Sequence, residues 1–235
     1  MPTVALFCEG VSEVKILTHI ITKYLGDEVS INALQPELVI NLGVERQNTF
    51  GGWLEVLRHC NDEDVKIALI TNDYLVIQID TDTCSRVNYD VSEYDDNGRR
   101  ISDEDLYERV VSRALRDLSP EILAEFRNRI LFAVCIDEIE CWLLPIYYER
   151  EHSPKCYATH NCMFHLNQKL SREGLGIPDT DKNCPLAIKT YQKILKNLKR
   201  KDIPRVSAYN YGFKMFVEQM DSIKEQMGLS VKSES

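Results

Sequence analysis

No apolar run in this 235-residue chain approaches the ~18 consecutive residues of a membrane-spanning helix. The N-terminal residues lack a basic stretch followed by a long apolar one, so no secretory signal is read there and a cytoplasmic protein is expected. No internal repeat and no low-complexity tract is found, which excludes a repeat array. A Gly-rich nucleotide-binding loop is also missing, which argues against a primase-like or other phosphotransferase reading. Positive charge is in deficit: the net charge is -9 at pH 7, which argues against a protein that coats nucleic acid through bulk charge.

What is present is an ordinary globular mixture, 44% hydrophobic and 28% charged, suited to one large domain or one domain with an appendage. Eight cysteines lie mostly in apolar segments such as ALFC and FAVCI, and free thiols are expected rather than a disulfide framework. Charge is unevenly spread. Between Lys182 and Arg205 eight basic residues stand against one acid, Asp202.

Apolar runs at 3–8, 37–42, 74–79 and 129–136 read as strands. The third (YLVIQI) is apolar almost throughout, as a parallel strand covered on both faces should be. Helical spacing predicts helices over 12–25, 53–60, 62–71, 102–118, 137–148, 163–170, 185–199 and 209–227, with a further short one from Ser119-Pro120. Ser12 is the expected cap of the first helix. The acidic stretch 83–100 has no periodicity and reads as an exposed loop. Strand and helix alternate through the first two thirds, which predicts an α/β fold: a doubly wound, mostly parallel four-stranded sheet with helices on both faces. The expected division is an α/β domain over 1–148, a helical extension over 149–228 with a basic helix, and a disordered tail over 229–235.

Ligands of such sheets bind beyond the carboxyl ends of the strands. Three predicted strands end there on acids: Glu9, Asp80-Thr81-Asp82, and Asp137 with Glu138 and Glu140 after it. Carboxylates crowded at one edge stay ionised only when a cation neutralises them, and their hard oxygens suit Mg²⁺ or Mn²⁺. Asp80 and Asp82, two apart, would point to one side and share an ion, and Glu13 would return to the same site from the first helical turn. Gly10 would let a phosphate approach the backbone closely.

The order Glu9-Gly10 followed by Asp80-Thr81-Asp82 resembles the TOPRIM fold of topoisomerases, DnaG-type primases and OLD-class nucleases. EGVSE (Glu9 to Glu13) is similar to the variant in OLD and RloB-type proteins. DEIECWLL (Asp137 to Leu144) and YNYGFKMFVEQM (Tyr209 to Met220) are similar to later segments of RloB-like proteins. The ATPase domain of OLD proteins and the catalytic tyrosine domain of topoisomerases are not in this chain. The resemblance therefore implies a stand-alone metal-dependent nuclease cutting DNA or RNA, tRNA among them. It also implies a bacterial anti-phage effector partnered by a separate AAA- or ABC-type ATPase, as in RloB-like or PARIS-type (AriB) pairs, and leaves room for a homodimer.

On that resemblance Asp80 and Asp82 would hold Mg²⁺ with Glu13 assisting, Glu9 would be general base or bridging ligand, and Glu140 or Asp137 would hold a second ion. Lys189, Lys193, Lys196, Lys199, Arg200 and Lys201 would grip the nucleic-acid backbone. Plainer readings stand beside these. Glu9 could merely complement a helix dipole, Asp80 and Asp82 could form a solvated turn, and the basic stripe could be a solvated helix face. Glu138 reads as surface. Cys156, His160, Cys162 and His165 are four zinc-type ligands within ten residues, but not at a known finger spacing. A non-catalytic TOPRIM-like docking subunit is the alternative to the nuclease.

Overall fold

A computed structural model describes residues 1–41, 44–47, 49–178 and 180–226. The predicted tail 229–235 lies outside the described residues. In chain order the elements are β1 Thr3–Phe7, α1 Val11–Leu25, β2 Ser30–Gln35, β3 Leu38–Asn41, β4 Val44–Gln47, α2 Trp53–His59, α3 Asp62–Thr71, β5 Tyr74–Asp80, α4 Asp103–Leu115, α5 Pro120–Phe126, β6 Ile130–Cys135, α6 Glu140–Tyr148, α7 Cys162–Leu170, α8 Pro185–Leu195, α9 Ile203–Ser207 and α10 Tyr211–Gln226.

The fold is α/β, as the alternation predicts, and is consistent with a TOPRIM-like arrangement. A four-stranded sheet runs in the order β2-β1-β5-β6, with every neighbouring pair parallel. Alternation along β1 splits the core in two. Val4 and Leu6 face a layer built from α1 and the helices from α6 onward, while Ala5 and Phe7 face a layer built from α2 to α5. All residues of β5 and β6 are buried, which is why both read as apolar runs, with Gln78 the one polar interruption before the terminal Asp80.

One strand departs from the sequence reading. The run at 37–42 contributes β3, which pairs only with β4 in a separate antiparallel hairpin. The sheet's fourth strand is β2, SINALQ, which carries three polar residues. It is an edge strand covered incompletely, so burial never demanded the apolar pattern that marks β5. Three helix ends also differ. α4 ends at Leu115, not Leu118, α6 starts at Glu140, not Asp137, and α8 ends at Leu195, not Lys199.

The opposite edge, β6, is closed by α10. The Phe132 N–H donates to Gln219 Oε1 (2.8 Å) and Gln219 Nε2 donates to the Phe132 carbonyl (3.0 Å), so one side-chain amide takes up edge groups that a further strand would otherwise pair. Gly212 lets the first turn of α10 lie on β6, because a Cβ there would stand 1.9 Å from the Val134 carbonyl oxygen. Gly212→Ala is expected to destabilise the protein by ~3 kcal/mol, the upper part of the range for overpacked cores, since backbone must move. Urea denaturation of the variant against the parent checks this, and an unchanged midpoint would refute the close approach.

Candidate functional site

The parallel sheet delivers the ends of β1, β5 and β6 to one rim, and buried carboxylates collect there. Glu13 and Glu140 are 0% exposed and Asp80 4%. So much buried charge of one sign requires a cation or bound protons. The chain supplies a cation in Lys182, whose Nζ lies 2.8 Å from Glu13 Oε1, 3.3 Å from Asp80 Oδ2 and 3.9 Å from Glu140 Oε2.

Glu9 is anchored by the strand beside it. Its N–H donates to Gln78 Oε1 (3.0 Å), and its Oε1 accepts from the Asp80 N–H (2.6 Å). Gln78 Nε2 in turn donates to Asp80 Oδ1 (2.8 Å). Gln78, fully buried in β5, thus positions Glu9 and Asp80 together. The Tyr89 hydroxyl donates to the Asp80 carbonyl (2.9 Å).

Burial pushes the Glu9 carboxyl up to about 8, against the opposing hydrogen bond from Asp80, with the charge of Glu13 adding to the rise. Burial likewise raises Asp80 well above the carboxylate range, against the pull of Lys182. Burial also acts on Glu13, but there the ammonium of Lys182, its hydrogen bond and that of Ser12 outweigh it and hold the group below its ordinary value. Burial disfavours the Lys182 charge, yet Glu13, Glu140 and Asp80 outweigh it and hold that amine well above the lysine range. Tyr191 donates its hydroxyl to Glu140 Oε1. Glu140 Oε2 is buried without a hydrogen-bond partner.

The sequence-predicted acids therefore divide. Glu9, Glu13, Asp80 and Glu140 gather around or beside Lys182. Asp82 does not join them: β5 ends at Asp80, alternation stops, and Asp82 is exposed at the rim with its N–H donating to the Asp137 carbonyl (3.0 Å). Asp137 precedes α6 with a left-handed φ of 70°, its N–H bonded to Thr81 Oγ1 (2.8 Å) and its carboxylate 3.7 Å from His160 Nδ1. Glu138 is not a surface residue. It is half-buried, accepts from the Met163 N–H (2.7 Å), and burial lifts its carboxyl to about 7.

Two further readings change. Ser12 does not cap α1. The cap is Gly10, while the Ser12 hydroxyl lies 2.8 Å from Glu13 Oε2 and its N–H donates to Asn183 Oδ1 (3.0 Å). The space above Gly10 is filled from within the chain: a Cβ would meet Glu13 Oε2 at 2.7 Å and Asn183 Oδ1 at 2.8 Å. Lys182 and Asn183, from the loop before α8, were legible only as members of a basic window. A lysine flanked by Asp181 and Asn183 carries no local mark of burial.

The basic residues Lys189, Lys193, Lys196, Lys199, Arg200 and Lys201 are all exposed. Only Lys196, Lys199 and Arg200 line the cleft of about 730 Å³ between α1 and the end of α8, where they meet Lys15 and Lys23 of α1. No acid lines that cleft. Among the described residues, Cys141 and Cys162 form a disulfide, against the expectation of free thiols; α6 and α7 bring together cysteines 21 residues apart. The other six cysteines are free. No protein-family model, no curated protein and no solved structure matches this chain, so its functional reading rests on the geometry of the acidic rim.

Proposed function

We propose that the chain is a TOPRIM-like nuclease that hydrolyses phosphodiester bonds in DNA or RNA with Mg²⁺ or Mn²⁺. The observation that carries this reading is the convergence of Glu13, Asp80 and Glu140 on a single ammonium, with Glu9 beside them on the Asp80 N–H. Four carboxyl groups share one ammonium, and the buried Glu140 Oε2 has no hydrogen-bond donor. Those hard oxygens would suit a divalent ion at Asp80, with Asp82 at the open rim. When bound, such an ion polarises the phosphate and lowers the pKa of a coordinated water.

The chain's own residues do the rest. Glu9 accepts the proton of the attacking water. Burial raises the Glu9 carboxyl above its ordinary value, which strengthens its hold on a proton taken from water. Gln78 holds Glu9 and Asp80 in register. Lys182 keeps Glu13 ionised and offers a positive charge to the phosphate. Isothermal titration with Mn²⁺ tests the site: the parent binds an ion and Asp80→Asn loses it. Incubation with plasmid and total tRNA, with either metal, tests the activity.

The cationic cleft between α1 and α8 fits the backbone of the nucleic acid. Each of Lys196→Glu and Arg200→Glu is expected to lower the slope of log affinity against log salt by about one. Filter binding across a salt series measures it, and an unchanged slope would remove the cleft from the interface.

One observation favours a second reading, a non-catalytic docking subunit. Lys182 already neutralises the cluster from inside, as a purely structural site would require. Absence of Mn²⁺ binding in the parent would favour it over the nuclease.

A further inference from the structure

The disulfide does not stand alone. One ligand atom each from Asp137, Cys141 and Cys162 lie within 4.8 Å of one another, and Asp137 Oδ2 is 3.9 Å from Cys141 Sγ. His160 reaches the same carboxylate from outside, Nδ1 to Oδ1 3.7 Å. Zinc bonds of ~2.0–2.3 Å give tetrahedral ligand–ligand edges of ~3.3–3.8 Å, close to the 3.9 Å between Asp137 Oδ2 and Cys141 Sγ, and reduction frees the two sulfurs to separate to such an edge. Two sulfurs and one carboxylate oxygen form a soft, three-donor set that suits zinc and not magnesium, with the fourth position left to water. The donors sit on held backbone. Asp137 is bonded to Thr81, Cys141 is in the first turn of α6, and Cys162 opens α7.

We propose that, in the reduced chain, Asp137, Cys141 and Cys162 bind a zinc ion while His160 orients the Asp137 carboxylate from outside, and that the disulfide is the oxidised, metal-free state of the same site. Conversion needs a thiol reductant of the glutathione or dithiothreitol class. The reductant's two thiols become its disulfide, and two electrons and two protons pass to Cys141 and Cys162. Zinc binding then releases the two cysteine protons, since thiolates are the ligands. Either state fastens α7 to α6 directly beside Glu140. Cys156 and His165, from the CYATHNCMFH segment, are not part of the set; Cys156 is a buried free thiol and the metal-compatible group includes neither.

The test uses the full chain, reduced with dithiothreitol, desalted without oxygen, and titrated with Zn²⁺ against a chromophoric chelator and with Co²⁺ in parallel. The expected result is one ion per chain with thiolate-to-cobalt charge-transfer absorption. Binding is abolished in Cys162→Ser, weakened at least ~10-fold in His160→Ala and Asp137→Asn, and retained in Asp80→Asn. His160 is exposed, so its variant keeps the test decisive even if a cysteine variant misfolds. Three results would overturn the proposal: a reduced chain that binds no zinc, zinc binding indifferent to His160→Ala and Asp137→Asn, or a disulfide that dithiothreitol leaves intact. None of these bears on whether Asp80 binds Mn²⁺, so the two proposals fail separately.

Discussion

Replacing Lys182 by methionine is expected to destabilise the protein by about 3–5 kcal/mol at alkaline pH, the range for removing one partner of a buried ion pair. The side chain keeps its length, so packing is roughly preserved and the ammonium alone is lost. Glu13 and Glu140, both fully buried, and Asp80 would then face one another uncompensated. They would relieve the repulsion by binding protons, so the loss should shrink as pH falls. Urea denaturation at about pH 6 and about pH 8.5 measures both effects. A divalent ion offers the other escape. If the cluster binds Mn²⁺, the variant regains stability with metal, by ~2.7 kcal/mol at a hundredfold excess over the dissociation constant. A variant as stable as the parent at both pH values would show that the ammonium is not the counter-charge of the site.

Glu9→Gln should split activity from stability. The amide still offers an acceptor to the Asp80 N–H, so the local hydrogen bond survives. Without a general base, cleavage is expected to fall ~10²–10⁴-fold. Stability should move the other way. Burial raises the Glu9 carboxyl from 4.5 to about 8, so the folded state holds its proton more tightly than the unfolded one. The stabilisation from that proton is fully present below about 4.5 and is lost as pH rises through about 8. Glutamine mimics the protonated acid. The metal-free variant should therefore match the parent in acid and exceed it above pH 8 by an amount on the order of a few kcal/mol. Cleavage assays with denaturation across that pH span check both halves. Cleavage at the parental rate would rule Glu9 out as the base, and a variant no more stable at alkaline pH would rule out the buried carboxyl.

The site was legible where the chemistry is local. β1, β5 and β6 are buried on both faces, so their residues had to be apolar, and the acids that end them stood out against that background. Glu140 was legible for the same reason, two residues before Trp142 in an apolar helix. Asp82 is exposed at the rim and not turned in beside Asp80, because β5 and its alternation end at Asp80. Glu138 was misjudged because its burial comes from Met163 across a long loop, a contact no periodicity encodes.

Segment burial, strand class and the acids at the strand ends were determined by the sequence alone, because hydrophobic periodicity records how each short stretch is covered. Tertiary structure alone decided the choice of β2 over β3 for the sheet, the bond between Cys141 and Cys162, the bridging role of Gln78, and the placement of Lys182 among the carboxylates. Lys182 and Asp80 are 102 residues apart. Their attraction exists only once the loop before α8 docks on the start of α1, and a charge that is paired by docking looks, along the chain, like any solvated lysine.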